Sequence, residues 1–266
     1  MSLRTWPGGQ VAEFRVCALI PTFDNPLTVR AVVERVRAQM ADVADVVVVD
    51  DGSAVAGREA VAELGREGLA HTTRRAVNGG KGAAVKTGFA YARELGYTHA
   101  LQVDADGQHE LGDIPRFLEA ARARPEALVL GAPRYDATAP LGRLIGRKIT
   151  LFWTAVEVGR GVITDPMCGF RVYPLAAALA APRTGDRMDF DIEIAVRMAW
   201  MGVPIVNLPT QVRYLGRDEG GVSHFHMLRD NLRIAGMHTR LAMTALLWRP
   251  LLRLLGRGPR SLPAAR

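Results

Sequence analysis

Residues 100–108 read Ala-Leu-Gln-Val-Asp-Ala-Asp-Gly-Gln, and this stretch decides both the fold class and the place to look for chemistry. Ala100 to Val103 is a short, mostly apolar run that stops abruptly at Asp104. A run of this length bounded by turn-forming residues is typical of a buried strand. The pattern therefore predicts a strand that delivers two carboxylates, Asp104 and Asp106, to the end of a sheet.

Other apolar runs of the same kind surround this one, and helix-length segments separate them. The runs are Val16 to Ile20, Asp45 to Val49 and Ala127 to Leu130; the segments are Leu27 to Met40, Gly57 to Glu67, Gly82 to Leu95 and Ile114 to Ala123. Strands that alternate with helices indicate an α/β fold. We expect a Rossmann-like, mostly parallel sheet with helices on both faces.

The second half of the chain is less regular. It predicts helices over Leu141 to Val158, Phe190 to Met201 and His224 to Trp248, and extended segments over Gly169 to Tyr173 and Val203 to Tyr214. No internal repeat or linker divides it. The expected organisation is a flexible N-terminus over residues 1–13, one α/β domain over residues 14–223, and a basic amphipathic C-terminal helical extension over residues 224–266.

Polar clusters follow the predicted strands at the point where each strand ends. They are Pro21-Thr22-Phe23-Asp24, Asp50-Asp51-Gly52-Ser53 and Asp104-Ala105-Asp106. Each alone fits an ordinary turn or helix cap. Because ligands of parallel α/β sheets bind outside the carboxyl ends of the strands, three clusters at one edge favour a binding site.

The Asp104-x-Asp106 pair, with Gln108 two residues further on, predicts a metal site. Carboxylate and amide oxygens suit Mg²⁺ or Mn²⁺, which proteins commonly share with substrate phosphates. Such a cation stabilises the charge that develops on a departing diphosphate. The alternative is an Asp-rich turn without a ligand.

A glycine-rich segment, Asn78-Gly79-Gly80-Lys81-Gly82, precedes the helix predicted from Gly82. Glycines admit a ligand close to the backbone, and a helix N-terminus with a lysine favours an anion. The segment matches neither the Walker loop nor the dinucleotide-binding pattern, so it is a weak signal by itself.

Composition and the pattern of apolar residues indicate the cellular compartment of the protein. The 266-residue chain has a net charge of +7 and two distant cysteines, which give neither a disulfide framework nor a zinc signature. Residues 1–11 lack the apolar core of a signal peptide, and no run approaches the length of a spanning helix. We expect a cytoplasmic protein.

Basic residues concentrate near the C-terminus, and their spacing indicates a membrane surface as partner. Arg229, Arg233 and Arg240 share a helix face, while Trp248 and several leucines lie among later arginines. A basic amphipathic helix with a tryptophan fits an anchor on an anionic membrane, here the cytoplasmic face of the inner or plasma membrane. The alternative is a helix that packs on the domain with its arginines in water.

Taken in order, the motifs resemble glycosyltransferase family 2, and within it the polyprenyl-phosphate (dolichyl-phosphate mannose synthase-like) branch. The set comprises the four segments above and Asp165-Pro166-Met167-Cys168-Gly169-Phe170-Arg171, and the resemblance covers roughly Phe14 to Ser223. It implies a GT-A fold, an inverting mechanism, a nucleoside-diphosphate sugar donor and a lipid-linked acceptor, with Mg²⁺ or Mn²⁺ as cofactor.

The resemblance also assigns roles to residues. Asp104, Asp106 and Gln108 would bind the metal and diphosphate, and the residues expected at the donor are Pro21, Thr22, Asp24, Asp51, Ser53, Gly80, Lys81 and Asp104. Arg134 aligns with a family arginine that faces the acceptor phosphate. Arg143 has the same expected role or is a solvated helix residue, and Arg217 resembles a basic loop that closes on the donor.

The need for a general base depends on the acceptor. A phosphate is already ionised at neutral pH, whereas a hydroxyl requires a base, for which Asp165 is the candidate. Asp189, Asp191 and Glu193 open a predicted helix and are expected to act as caps, although Glu193 could face the acceptor. The chain departs from the family pattern at Phe23-Asp24-Asn25, which bears on base recognition, and at Cys168, where serine is usual.

Two other functions fit part of the sequence. A nucleotidyltransferase acting on a sugar phosphate would also use a Rossmann-like sheet and paired carboxylates. A non-catalytic nucleic-acid-binding module is permitted by the charge, but aromatic residues make up only 6% of the chain and no binding motif is present, so we expect no nucleic-acid partner. The sugar, the nucleotide base, the acceptor and the oligomeric state are not determined by the sequence.

Overall fold

A seven-stranded sheet forms the centre of the molecule in a computed structural model, which describes residues 13–40, 45–134, 141–182, 184–212 and 227–248. The strands are β1 (Val16–Thr22), β2 (Val46–Asp50), β3 (His71–Arg74), β4 (His99–Gln102), β5 (Leu128–Arg134), β6 (Arg171–Pro174) and β7 (Ile205–Gln211). Every residue of β1, β2 and β4 is buried, as expected for strands covered on both faces.

The strands lie in the order β3-β2-β1-β4-β6-β5-β7. All pairs are parallel except those of β6, which runs antiparallel to both β4 and β5. The carboxyl ends of β1, β2 and β4 therefore meet at one edge of the sheet. Because β6 is reversed, its first residue, Arg171, pairs with Gln102 at the end of β4, so the loop that enters β6 reaches the same edge.

Helices cover both faces of this sheet. They are α1 (Val29–Met40), α2 (Val55–Arg66), α3 (Lys81–Glu94), α4 (Ile114–Ala123), α5 (Leu141–Val158), α6 (Leu175–Ala180), α7 (Phe190–Trp200) and α8 (Met227–Met243), which continues as a π-helical turn (Thr244–Trp248). Side chains of α1, α2 and α4 pack in one apolar cluster, and those of α3, α6, α7 and α8 pack in the other. The predicted α/β class is confirmed.

The described part of the C-terminal extension packs on the domain. Met237 and Leu241 of α8 are buried in the second cluster, and His238 meets the carboxylate of Glu157 on α5 at 2.8 Å. Within the described residues, no helix has the length and apolar content needed to span a bilayer. The predicted domain boundary near residue 223 lies outside the described residues.

Candidate functional site

A cavity of about 520 Å³ opens at the carboxyl edge of the sheet. Its size is within the range of small-molecule binding sites. The ends of β1, β2 and β4 contribute Thr22, Asp51 and Asp104, and the start of α3 contributes Gly80 and Lys81. The sequence motifs that follow separate strands thus meet around one concave space.

Asp51 holds the glycine-rich segment against the end of β2. Its Oδ1 accepts a hydrogen bond from the backbone N–H of Gly79 at 3.1 Å, and its Oδ2 accepts one from Gly80 at 2.6 Å. Gly80 has a φ of 100°, a region that favours glycine, and is the N-cap of α3. The amino end of α3 is therefore set at the cavity wall, where the helix dipole favours negative charge.

Lys81 joins two carboxylates in the cavity. Its Nζ lies 2.8 Å from Oδ1 of Asp104 and 2.8 Å from Oδ2 of Asp191. His109 contacts the other oxygen of Asp104 at 3.3 Å, and its ring stacks on Phe170. One lysine and one histidine thus neutralise charge that would otherwise be costly in this half-buried position.

The pKa values follow from these contacts. Burial alone would raise the pKa of Asp104, but the charges of Lys81 and His109 lower it well below its usual range. Burial acts to lower the pKa of His109, but the hydrogen bonds and charges of Asp104 and Cys168 together outweigh it and raise this pKa to about 10. Asp104 is therefore a carboxylate at neutral pH.

Asp106 has the opposite environment. Burial, followed by the charge of Asp104, raises the pKa of Asp106. Asp106 accepts one backbone hydrogen bond, from Gln108 at 3.0 Å, and Thr28 donates to the carbonyl of Ala105 at 2.8 Å, which ties α1 to this turn. Two neighbouring carboxylates repel each other because both are negative, and a bound cation would stabilise them in their charged form.

The residues present fit a hard divalent ion as a partial coordination shell. Asp104, Asp106 and Gln108 all line the cavity. In the described parts of the chain, no group of three or more His, Cys, Asp or Glu side chains is arranged to hold a metal. Such a shell is incomplete by itself, which is the usual situation where a Mg²⁺-type ion is shared with substrate phosphates.

The loop that enters β6 forms the part of the cavity wall beside Asp104 and Lys81. Asp165 accepts hydrogen bonds from the backbone N–H groups of Met167 and Cys168 and from Arg147 at 2.7 Å. The fully buried guanidinium of Arg171 donates to the carbonyl of Cys168 and to that of Asp191. These contacts fix the loop between α5 and α7.

The structure brings most of the predicted site residues together. The cavity is lined by Pro21, Thr22, Asp51, Gly80, Lys81, Asp104, Asp106 and Gln108. Asp24 and Ser53 are not among its lining residues: the N–H of Asp24 donates to Ser53 Oγ, and Asp24 Oδ1 accepts from the N–H of Ala54, so these side chains tie two loops together. That Asp24 and Ser53 contact the nucleotide-sugar donor stays a prediction.

The predicted catalytic set is more scattered. Asp165 is fully buried behind the cavity wall, and Arg134 is an exposed residue at the end of β5 whose neighbour Pro133 lines the cavity. The side chain of Arg143 and all of Arg217 lie outside the described residues. The roles of these four residues stay predictions.

Some residues in the cavity were not predicted as site residues. Asp191 was expected to be a helix cap, yet its carboxylate faces Lys81, and Gln102 donates to it at 3.2 Å. Glu193, which could have faced the acceptor, instead binds Arg197 and the N–H of Gly185. Three arginines also line the cavity, namely Arg147, Arg187 and Arg229.

The doubly covered sheet with a cavity and paired carboxylates at the carboxyl ends of its strands is typical of Rossmann-like α/β proteins that bind a ligand at that edge. A family model described as glycosyl transferase family 2 matches residues 17–169, which is more than half of the chain. The protein belongs to glycosyl transferase family 2 and is a glycosyltransferase. A comparison with curated protein sequences finds no significant match.

Solved structures share the fold. Glucosyl-3-phosphoglycerate synthase from Mycobacterium tuberculosis, in complex with Mn²⁺, UDP and glucosyl-3-phosphoglycerate, has 16% identity and a TM-score of 0.60 over 96% of this chain and 87% of its own. The same enzyme with phosphoglyceric acid has 15% identity and a TM-score of 0.62, over 87% of this chain and 81% of its own. A structure described only as a mycobacterial protein has 18% identity and a TM-score of 0.61, over 89% of this chain and 74% of its own. The GT-A fold is confirmed.

Proposed function

We propose that this protein is an inverting, metal-dependent glycosyltransferase that moves a sugar from a nucleoside-diphosphate donor to a lipid-linked phosphate, as in the dolichyl-phosphate mannose synthase-like branch. The observation that carries the proposal is the Asp104–Asp106 pair beside Lys81 at the floor of the strand-end cavity. Family membership excludes the nucleotidyltransferase and nucleic-acid-binding alternatives as the main function.

The donor would lie along the edge formed by β1, β2 and α3. Thr22 and Asp51 face the space suited to the nucleoside, while Gly80 and Lys81 at the amino end of α3 suit the diphosphate. Asp104, Asp106 and Gln108 would hold Mn²⁺ or Mg²⁺, which stabilises the diphosphate as it leaves. UDP and Mn²⁺ in the M. tuberculosis synthase, which shares this fold, support a donor of this class.

The acceptor would enter from the wall formed by the loop before β6 and by α8. Arg147 and Arg229 line the cavity there and suit an anionic group. A phosphate acceptor needs no general base and can displace the diphosphate directly, which inverts the anomeric carbon. If the acceptor is a hydroxyl, Asp191 is better placed as base than the enclosed Asp165, because Asp191 lines the cavity.

The location proposed for the enzyme is the cytoplasmic face of the membrane. A lipid-linked phosphate is confined to a bilayer, and the net charge of +7 favours an anionic surface. The glucosyl-3-phosphoglycerate synthase structures include phosphoglyceric acid, so a water-soluble phosphorylated acceptor is the second candidate. Both share the phosphate group.

Donor turnover with each acceptor tests the proposal. Purified protein with Mn²⁺ is supplied with UDP-, GDP- or dTDP-sugars and with a short-chain polyprenyl phosphate or 3-phosphoglycerate, and product is followed by mass spectrometry. We expect a glycosylated polyprenyl phosphate from one donor, with loss of about 10²-fold or more in Asp106→Asn. The exposed control Glu119→Gln should keep full activity. Product with phosphoglycerate alone would replace the lipid acceptor, and full activity of Asp106→Asn would reject the metal assignment.

A further inference from the structure

Helix α5 exposes an apolar stripe to solvent. Ile145, Ile149 and Phe152 are 57%, 55% and 61% exposed, and Trp153 is 37% exposed. These positions are separated by four, three and one residues, which places them on one side of an α-helix. The opposite side of α5 is buried against the domain through Thr150, Thr154 and other residues.

A second group of exposed apolar residues lies on the neighbouring elements at the end of the described chain. Met243, Leu246 and Leu247 are 58%, 59% and 64% exposed. Helix α5 packs against both α8 and the π-helical turn, so the two groups occupy adjoining elements. We refer to these seven residues as the apolar face: Ile145, Ile149, Phe152, Trp153, Met243, Leu246 and Leu247.

The charges around the apolar face have one sign. Lys148, Arg229 and Arg240 are exposed on α5 and α8. The two acidic residues of these helices, Glu157 and Asp230, are only 3% and 4% exposed. The sequence that follows Trp248 adds five arginines and no acidic residue. An exposed apolar surface on helices whose exposed charged residues are cationic is complementary to the headgroup region of an anionic bilayer.

The apolar face also belongs to the same helices as one wall of the cavity. Arg147 of α5 and Arg229 and Ile234 of α8 line the cavity. By helix periodicity Arg147 points roughly away from the exposed stripe of α5, and it contacts the buried Asp165. The apolar face and the cavity wall therefore lie on different sides of the same two helices.

We propose that the apolar face is the surface by which this protein docks on an anionic lipid bilayer, with α5 and the end of α8 lying in the headgroup region. The inference rests on the proposed function for its meaning, because a lipid acceptor requires such docking. It differs from an anchor formed by the C-terminal helix alone, because α5 supplies more than half of the apolar side chains.

Vesicle co-sedimentation tests the docking without donor or acceptor. The full-length protein should pellet with phosphatidylglycerol-containing vesicles and remain in solution with pure phosphatidylcholine. Ile149→Ser combined with Phe152→Ser should weaken the partition by about tenfold or more, since it removes two apolar contacts. Val55→Ser is the matched control, because Val55 is 59% exposed on the distant helix α2. Undiminished binding of the double variant overturns the proposal.

Three further measurements separate the alternatives. Brominated lipids should quench tryptophan fluorescence of the wild type, and Trp153→Phe should reduce this quenching. Sedimentation velocity identifies a second copy as the occupant if the wild type is a dimer that the double variant dissociates, and that result also overturns the proposal. Turnover of a detergent-dispersed short-chain acceptor does not need a bilayer, so it should be the same in the double variant and the wild type. If the wild type shows no such turnover, the proposed function is rejected, and the vesicle result still decides the docking proposal.

Discussion

Gly169 lies at the closest approach between the loop before β6 and the carboxylate pair. A Cβ at this position would be 2.5 Å from Oδ2 of Asp104 and 2.7 Å from Nζ of Lys81. Neither partner can retreat easily, because Lys81 is also held by Asp191. We predict that Gly169→Ala lowers donor turnover by at least about tenfold and stability by about 1–3 kcal/mol, as overpacking commonly does.

The matched control is Gly236→Ala. A Cβ at Gly236 in α8 would meet nothing within 4 Å, so the substitution should gain up to about 1 kcal/mol from helix propensity and leave turnover unchanged. Urea unfolding and steady-state kinetics measure both variants. Equal turnover in Gly169→Ala and the wild type would contradict the tight approach at Gly169.

The two cysteines should differ in reactivity. Burial within β1 raises the pKa of Cys17 to about 12, so its reactive thiolate is scarce at pH 8. Cys168 is also mostly buried, at 7% exposed, but it lines the cavity, from which a small reagent can approach its thiol. We predict that iodoacetamide at pH 8 modifies native protein at Cys168 before Cys17, as read by peptide mass spectrometry. Cys168→Ser should abolish native-state labelling; rapid labelling of Cys17 would disprove the prediction.

Individual site residues were predictable where they follow a strand. Asp51, Asp104 and Asp106 come directly after apolar runs, and strand ends meet at one edge. Asp191 was not found, because a carboxylate in the first turn of a helix has the same sequence pattern as a cap. Arg147 was not found because an arginine on an amphipathic helix has the pattern of a solvated residue. Only the packing of α5 and α7 brings them into the cavity.

At the scale of elements, α8 is joined to α5 by a buried polar pair. Glu157 and His238 are each only 3% exposed, and Trp200 donates to the backbone carbonyl of Glu157 at 2.9 Å. Burial raises the pKa of Glu157, partly opposed by His238. We predict that His238→Leu lowers stability by about 3–5 kcal/mol at neutral pH, because it leaves the buried carboxyl unpaired. Urea unfolding with circular dichroism measures the loss.

The double variant Glu157→Met with His238→Leu provides the control. Replacing both members of a buried pair by apolar side chains of similar size is often nearly neutral, so most of the lost stability should return. A double variant as unstable as His238→Leu would show that packing, rather than the hydrogen-bonded pairing of the two side chains, accounts for the effect.

The elements that the sequence predicted are those with a clear apolar pattern. β1, β2 and β4 follow from their buried runs, and α4 has the predicted bounds. β3 escaped prediction because it is an edge strand, His71–Arg74, with no buried residue. α6 escaped because its six residues are too short to show a helical period. The reversed direction of β6 is a pairing outcome that local sequence does not encode.

For the whole molecule, donor and metal should stabilise the fold together. A ligand that binds only the native state at about 100 times its Kd adds about 2.7 kcal/mol to the free energy of unfolding. We predict a rise in Tm with Mn²⁺ and the correct nucleotide sugar that exceeds the rise with either alone, because Asp104 and Asp106 offer only part of a coordination shell. Differential scanning fluorimetry measures it.

Chelation should remove this added stability, and Asp106→Asn should lack it while keeping the wild-type Tm without ligands. Glu119→Gln, an exposed change on α4, should respond as the wild type does. An equal rise for the nucleotide sugar with and without a chelator would show that the cation has no part in donor binding.

The reversed strand β6 separates two stretches of the chain that contribute different residues to the cavity. The described residues proposed to hold the nucleotide precede residue 110, whereas Gly169, Asp191 and Arg229 of the cavity come later in the chain, after the reversal that β6 introduces. Selectivity for the two substrates can consequently be re-engineered separately. Grafting the later stretch from a relative onto this donor half should exchange the molecule that receives the sugar and leave the choice of sugar nucleotide as it is.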